Sequence, residues 1–182
     1  MVVLHVLGRD FKNGALGATT LAHCKAAARE YKRLKEEGRM VEVWVTTGWA
    51  DFSGDDVPIF MAEQMRIALF GQGVDEGVRV LWSGMNTFGE VDVLLEAISN
   101  DPRVHDFRPV ACWPHLLVAR VCYAIRGRAT KGISAGRSWG DVLGEFAKLL
   151  IYLFYPNSAS WRLKSLKNSY KEDKSEGTGM EE

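Results

Sequence analysis

Val2-Val3-Leu4-His5-Val6-Leu7-Gly8 and Val41-Glu42-Val43-Trp44-Val45-Thr46-Thr47-Gly48 decide how this chain is read. Each is a short apolar or β-branched run that stops at a glycine, the pattern of a strand buried on both faces. Between them, from Thr20 to Glu37, the period changes. Leu21, Cys24, Ala28, Tyr31 and Leu34 recur at three and four residues, which is helical spacing, and Gly38 is placed to end the helix. Two strands joined through a helix pair in parallel, because the helix serves as the crossover.

The alternation continues outward. Pro58 to Phe70 predicts a helix with Phe60, Met61, Met65, Ala68 and Leu69 inward, and Val78–Trp82 predicts a third strand. Thr87 to Ser99 follows as a helix with Val91, Leu94, Leu95 and Ile98 inward. Pro109–Trp113 reads as a fourth strand, Pro114 opens a helix running to about Ile125, and Thr130–Ser134 reads as a fifth strand. Ser138 to Tyr155 is the last helix, with Ser138 and Asp141 at capping-box spacing. Right-handed crossovers place helices on both faces of one sheet. The expected fold is therefore α/β: a three-layer, Rossmann-like parallel sheet of about five strands. Residues 1–155 make up that single domain, and the polar, Ser/Lys/Glu-rich residues 156–182 are expected to be a flexible tail.

Composition narrows the function. The chain has 182 residues, with 23 Lys+Arg against 23 Asp+Glu, so it has no net charge to recruit a polyanion as a whole. With 47% hydrophobic and 25% charged residues it can build an ordinary core. Three cysteines, Cys24, Cys112 and Cys122, cannot form a fully paired disulfide framework, and none stands in a C-x-x-C pair. The longest apolar run, Leu149 to Tyr155, is far short of the ~20 residues of a membrane span. A cytoplasmic protein without a membrane span or a nucleic-acid partner is expected.

Ligands of open parallel sheets bind at the carboxyl ends of the strands, beside a switch in strand order. Gly8, Arg9 and Asp10 fall there, as do Thr47, Gly48, Ser83, Asn86, Thr87 and His115. A shared pocket requires Gly8, Thr47, Asn86 and His115 to lie on one rim. In Asn86-Thr87-Phe88-Gly89-Glu90, the Asn or Thr can cap a helix with Glu90 at capping-box spacing, or the polar groups can face a ligand. His115, after Pro114 at a helix start, is either a surface histidine or a neutral imidazole suited to base work. Arg120, Arg126, Arg128, Lys131 and Arg137 carry no acid among them; they are either a solvated patch or a site for an anion. The loop Trp49–Val57, with Asp51, Ser53, Gly54, Asp55 and Asp56, is long enough to be a lid. A P-loop, a G-x-G-x-x-G turn and a G-x-S-x-G elbow are all missing from the sequence.

The order of short motifs resembles the YdcF/SanA/ElyC-like domain family. The matching pieces are Val6-Leu7-Gly8, Lys25-Ala-Ala-Ala28 before Gly38, Thr47-Gly48, and Glu63 with Met65, Leu69, Gly73 and Val74. They continue with Asn86-Thr87-Phe88-Gly89-Glu90 and His115 with Arg120, and a looser echo in Glu145-Phe-Ala-Lys148. The resemblance implies a Rossmann-like domain with clustered polar residues, S-adenosylmethionine binding in one branch, and envelope polymer metabolism in others.

Two functions are expected from this reading. The first is an enzyme, a hydrolase or transferase, acting on an anionic nucleotide-like or phosphorylated small molecule by acid/base chemistry. Glu63, Glu90 and His115 are its catalytic candidates. Gly8, Thr47, Gly48, Ser83, Asn86 and Thr87 would position the ligand, and Arg9 or Arg120 would hold its charge. The second is a non-catalytic small-molecule or assembly module, with the apolar last helix as a homo-oligomer face.

Overall fold

The computed structural model describes residues 1–51, 58–74, 76–82, 86–137 and 142–154. The chain runs β1 (Val2–Leu7), β2 (Phe11–Lys12), β3 (Ala15–Leu16), α1 (Ala18–Glu36), β4 (Val41–Thr46), β5 (Ala50–Asp51) and β6 (Ile59–Phe60). It continues α2 (Met61–Gly71), β7 (Val78–Leu81), α3 (Thr87–Ser99), β8 (Asp106–Trp113), α4 (His115–Ile125), β9 (Ile133–Arg137) and α5 (Val142–Phe154). Five strands form one parallel sheet in the order β7-β4-β1-β8-β9. The chain builds outward from β1 to β4 and β7, then returns across β1 to add β8 and β9. The reversal falls between β1 and β8. This is a Rossmann-like three-layer α/β fold.

The layers follow from the two-residue alternation of β1 and β4. Val2, Leu4 and Val6 with Val43 and Val45 pack against α1 and α2, through Ala27, Tyr31, Leu34, Met65 and Leu69. Val3 and Trp44 point the other way, onto Phe88, Val91 and Leu94 of α3 and Val118, Cys122 and Tyr123 of α4. All six residues of β1 are buried, as a central strand covered on both faces must be. Among the described residues, no helix is long and apolar enough to cross a membrane.

The third strand and the α3 helix fall where the periodicity puts them, but other boundaries shift. β8 starts at Asp106, three residues before the predicted Pro109. Proline lacks an N–H, yet it is tolerated because β9 pairs with β8 only from Val110 onward. The fifth strand lies at Ile133–Arg137 rather than Thr130–Ser134, with a register irregularity between Ala111 and Trp113. Two hairpins, β2–β3 and β5–β6, sit at the carboxyl rim and have no counterpart in the predicted elements. They meet through Asp51, whose carboxylate accepts the Gly14 N–H at 2.5 Å. Residues 52–57 of the predicted lid, the Ser138–Asp141 cap and the expected tail lie outside the described residues.

Candidate functional site

At the carboxyl rim, β1 and β4 stay paired through Leu7 and Thr46, but β1 and β8 pair only as far as Val6 and Val110. The strands part there, and His23 of α1 fills the gap. Its Nδ1–H donates to the Leu7 carbonyl at 2.7 Å, and its Nε2 accepts the Cys112 N–H at 2.8 Å. A carbonyl can only accept and an amide N–H can only donate, so the tautomer is fixed and the ring is neutral. Burial drives the His23 pKa down to about 4, against the pull of the Leu7 carbonyl. This histidine is a strut across the switch point.

A second buried imidazole lies deeper. His5, in the middle of β1, links Thr46 Oγ1 and the Tyr123 hydroxyl, both at 2.5 Å, with one ring nitrogen donating and the other accepting. Burial first, then the nearby His115, lower its pKa to about 3. Burial also raises the Tyr123 phenol well above its ordinary value, and the negative charge of Glu90 adds to this.

His115 opens α4 directly after β8 and lies parallel to His23, the ring centroids 6.3 Å apart. Its Nδ1–H donates to Glu145 Oε2 at 3.1 Å. Glu145 comes from α5 and is 1% exposed. Its other oxygen lies 3.8 Å from Arg9 Nη1, on the loop after β1. One carboxylate thus ties together the groups that leave the two strands flanking the switch point. Two of their buried atoms, Arg9 Nη1 and His115 Nε2, have no hydrogen-bond partner among the described residues. Buried donors and acceptors are almost always paired, so two such atoms beside one carboxylate single out this place as the candidate site.

The first turn of α1 is fixed by Asp10, whose carboxylate accepts the N–H groups of Thr19 and Thr20 at 3.1 and 2.7 Å and the Thr20 hydroxyl at 2.6 Å. Burial pulls its pKa up, but the Thr20 side-chain and backbone bonds and the Thr19 N–H outweigh it, and the carboxyl sits below its ordinary range. Gly17 makes room for this cap: a Cβ there would stand 2.1 Å from Asp10 Oδ2.

Of the four residues expected on one rim, Gly8 and Thr47 touch the same methionine. A Cβ on Gly8 would meet Met61 Cε at 2.8 Å and Thr47 Cβ at 3.4 Å. Thr47 accepts the Trp49 N–H at 3.2 Å and lies 3.7 Å from Met61 Sδ, and Gly48 follows it, half-buried. Asn86 caps α3 by accepting the Gly89 N–H at 2.7 Å, so its side-chain oxygen is engaged in the helix start. Thr87 and Glu90 are buried on the same helix. Glu63 is half-exposed and held by Arg66 at 2.7 Å, outside the Arg9–Glu145–His115 group. Arg120 is exposed on α4, so Arg9 is the cation beside His115. Ser83 lies outside the described residues.

Glu145, His23 and Tyr123 do structural or site work that the sequence reading does not assign to them, and Asp10, expected at a strand end, fixes the first turn of α1. Glu145 had a signal: it is the lone acid in the apolar helix Val142–Phe154. His23 stands beside Cys24 on the Ala-rich inward face of α1. Neither contact is local in sequence.

A cleft of about 560 Å³ lies at the opposite end of the sheet, lined by His105, Arg108, Arg128 and Lys131 among others. Arg108 is already engaged there by Glu30 and Asp106, at 2.9 and 2.8 Å. It is a surface hollow in which Arg108 is already paired, whereas the switch point holds buried polar atoms without a hydrogen-bond partner among the described residues. Among the described residues, no group of three or more His, Cys, Asp or Glu is placed to hold a metal ion.

The fold and the rim define a Rossmann-like α/β protein with a buried carboxylate–imidazole–guanidinium group at its topological switch point. No protein-family model, no curated protein and no solved structure matches the chain.

Proposed function

We propose that the chain is an enzyme acting on an anionic, phosphorylated or nucleotide-like small molecule, bound at the carboxyl ends of β1 and β8 beside Arg9 and His115. The observation that carries this reading is that two buried atoms, Arg9 Nη1 and His115 Nε2, both beside Glu145, have no hydrogen-bond partner among the described residues. The Arg9 guanidinium presents N–H donors suited to an oxyanion. Glu145 accepts the Nδ1–H of His115 and so turns the Nε2 lone pair toward the ligand, the arrangement in which a carboxylate orients an imidazole base. His115 then removes a proton from the attacking group, or returns it to the leaving group, and Glu145 stabilises the imidazolium formed in between. His23 holds the strand ends at the spacing this requires.

The test is a binding and turnover screen against inorganic phosphate, nucleotides, sugar phosphates and S-adenosylmethionine. A ligand at 100 times its Kd raises stability by about 2.7 kcal/mol. Arg9→Gln should weaken binding at least tenfold, whereas His115→Gln should spare most of the binding and remove turnover. Binding unchanged in Arg9→Gln contradicts the site. Turnover that survives His115→Gln contradicts the base, and binding without turnover in the native protein leaves a sensor or assembly module in place of an enzyme.

A further inference from the structure

The first four N–H groups of a helix have no partner within it and present partial positive charge to whatever stands before them. In open parallel sheets the helix after the first strand commonly seats a ligand's pyrophosphate in this way. In this protein Asp10 stands there. Its carbonyl accepts the Gly17 N–H at 3.0 Å, and its carboxylate accepts the N–H groups of Thr19 and Thr20 at 3.1 and 2.7 Å. Three of the amide groups that open α1 are therefore taken by one residue of the loop after β1.

The same loop is held from the helix side. The Thr20 hydroxyl oxygen accepts the N–H groups of Arg9 and Asp10 at 3.1 and 3.0 Å, and Gly17 leaves the space that the Asp10 carboxylate fills. Burial raises the Asp10 pKa, but the bonds from Thr20 and Thr19 outweigh it, so the carboxyl is ionised at neutral pH. Its charge reaches the candidate site. Burial dominates the shifts of the His23 imidazole and the Cys112 thiol, and behind it Arg9 and Asp10 act on both groups in opposite senses. Cation and carboxylate thus border the same space. One phosphoryl group can lie against Arg9 and His115. A second, displaced toward α1, meets a negative charge where the helix would otherwise offer N–H donors.

We propose that Asp10 is a specificity-determining residue: it fills the seat of a second phosphoryl group at the start of α1. The ligand is then a phosphomonoester, such as a sugar phosphate or a nucleoside monophosphate, and a diphosphate or dinucleotide is excluded. This rests on the Arg9–Glu145–His115 reading and narrows its substrate class.

The experiment is isothermal titration of the full chain with inorganic phosphate and with pyrophosphate. The native chain should bind phosphate at least tenfold more tightly. Asp10→Ala empties the seat, and affinity for pyrophosphate relative to phosphate should rise at least tenfold. Asp10→Asn keeps an acceptor for the helix and drops the charge. It is the second variant should the first fold poorly, with a rise of at least threefold expected. Glu63→Gln removes a carboxylate outside the site and should leave the ratio unchanged. An unchanged ratio in both Asp10 variants overturns the proposal, as does an equal rise in Glu63→Gln. A native chain that binds pyrophosphate as tightly as phosphate overturns it also. A native chain that binds neither anion overturns the Arg9–His115 reading instead. Pyrophosphate binding gained by Asp10→Ala then still upholds the filled seat, and no gain overturns it as well.

Discussion

The carboxyl rim has two halves that began as equals in the sequence. Around β4 and α3 the polar groups are spent on the scaffold: Asn86 caps α3, Thr47 holds the Trp49 N–H, and Glu63 pairs with Arg66 on the surface. Around β1 and β8, Arg9 Nη1 and His115 Nε2 are buried beside Glu145 and have no hydrogen-bond partner among the described residues. Within that half, two parallel imidazoles 6.3 Å apart divide the work. His23 has both nitrogens bonded and holds the strands, while His115 has one bonded and one without a hydrogen-bond partner among the described residues. Position at a strand end is therefore a poor guide to function by itself. What sets the Arg9–Glu145–His115 group apart is hydrogen-bonding capacity that the described residues do not use.

Five measurements break or sharpen this contrast. The largest effect is expected from acid. His5 and His23 are neutral when folded, with pKa values of about 3 and about 4, and take up protons near pH 6.5 when unfolded. Their contribution is whole above pH 6.5 and is lost as pH falls toward 4 and then 3. At about 1.4 kcal/mol per unit, the loss is on the order of several kcal/mol in urea melts across that range. A flat profile between pH 7 and 4 would mean that the imidazoles are not held neutral.

Glu145→Ala comes next. It leaves Arg9 and His115 without their shared carboxylate and should cost about 3 kcal/mol by chemical denaturation. A cost under 1 kcal/mol would put Glu145 in solvent. Tyr123→Phe strips one partner from His5 in a dry interior and should cost about 2 kcal/mol, with no effect on ligand affinity. Asp10→Ala removes the remote cap of α1 and should cost about 1 kcal/mol. Glu63→Gln, at the half-exposed pair with Arg66, should change stability by less than about 0.5 kcal/mol and leave ligand binding alone.

Much of the fold was legible in the sequence because it is written in local periods. The runs Val2–Leu7 and Val41–Thr46, and the three-four spacing of Thr87–Ser99, each report their own burial. The fifth strand was misplaced because Ser134-Ala135-Gly136-Arg137 lacks β-branched residues; it is held by pairing to β8, which no local window reports. The site was half legible. Arg9 and His115 stand at strand ends and follow from the topology. Glu145 lies 30 residues beyond His115 on a helix packed by its apolar neighbours, and His23 reaches Cys112 across 89 residues. Such contacts arise only when the sheet assembles, so a single sequence suggests the residues without their pairing.

The most direct test follows the side-chain nitrogens of the histidines by NMR as inorganic phosphate or a nucleotide monophosphate is added. The account predicts that His115 Nε2 moves with saturation while both nitrogens of His23 stay fixed, and that Arg9→Gln abolishes the response. A ligand that shifts His23 and leaves His115 unchanged, or a saturating response that persists in Arg9→Gln, would contradict a switch-point site built on Arg9, Glu145 and His115.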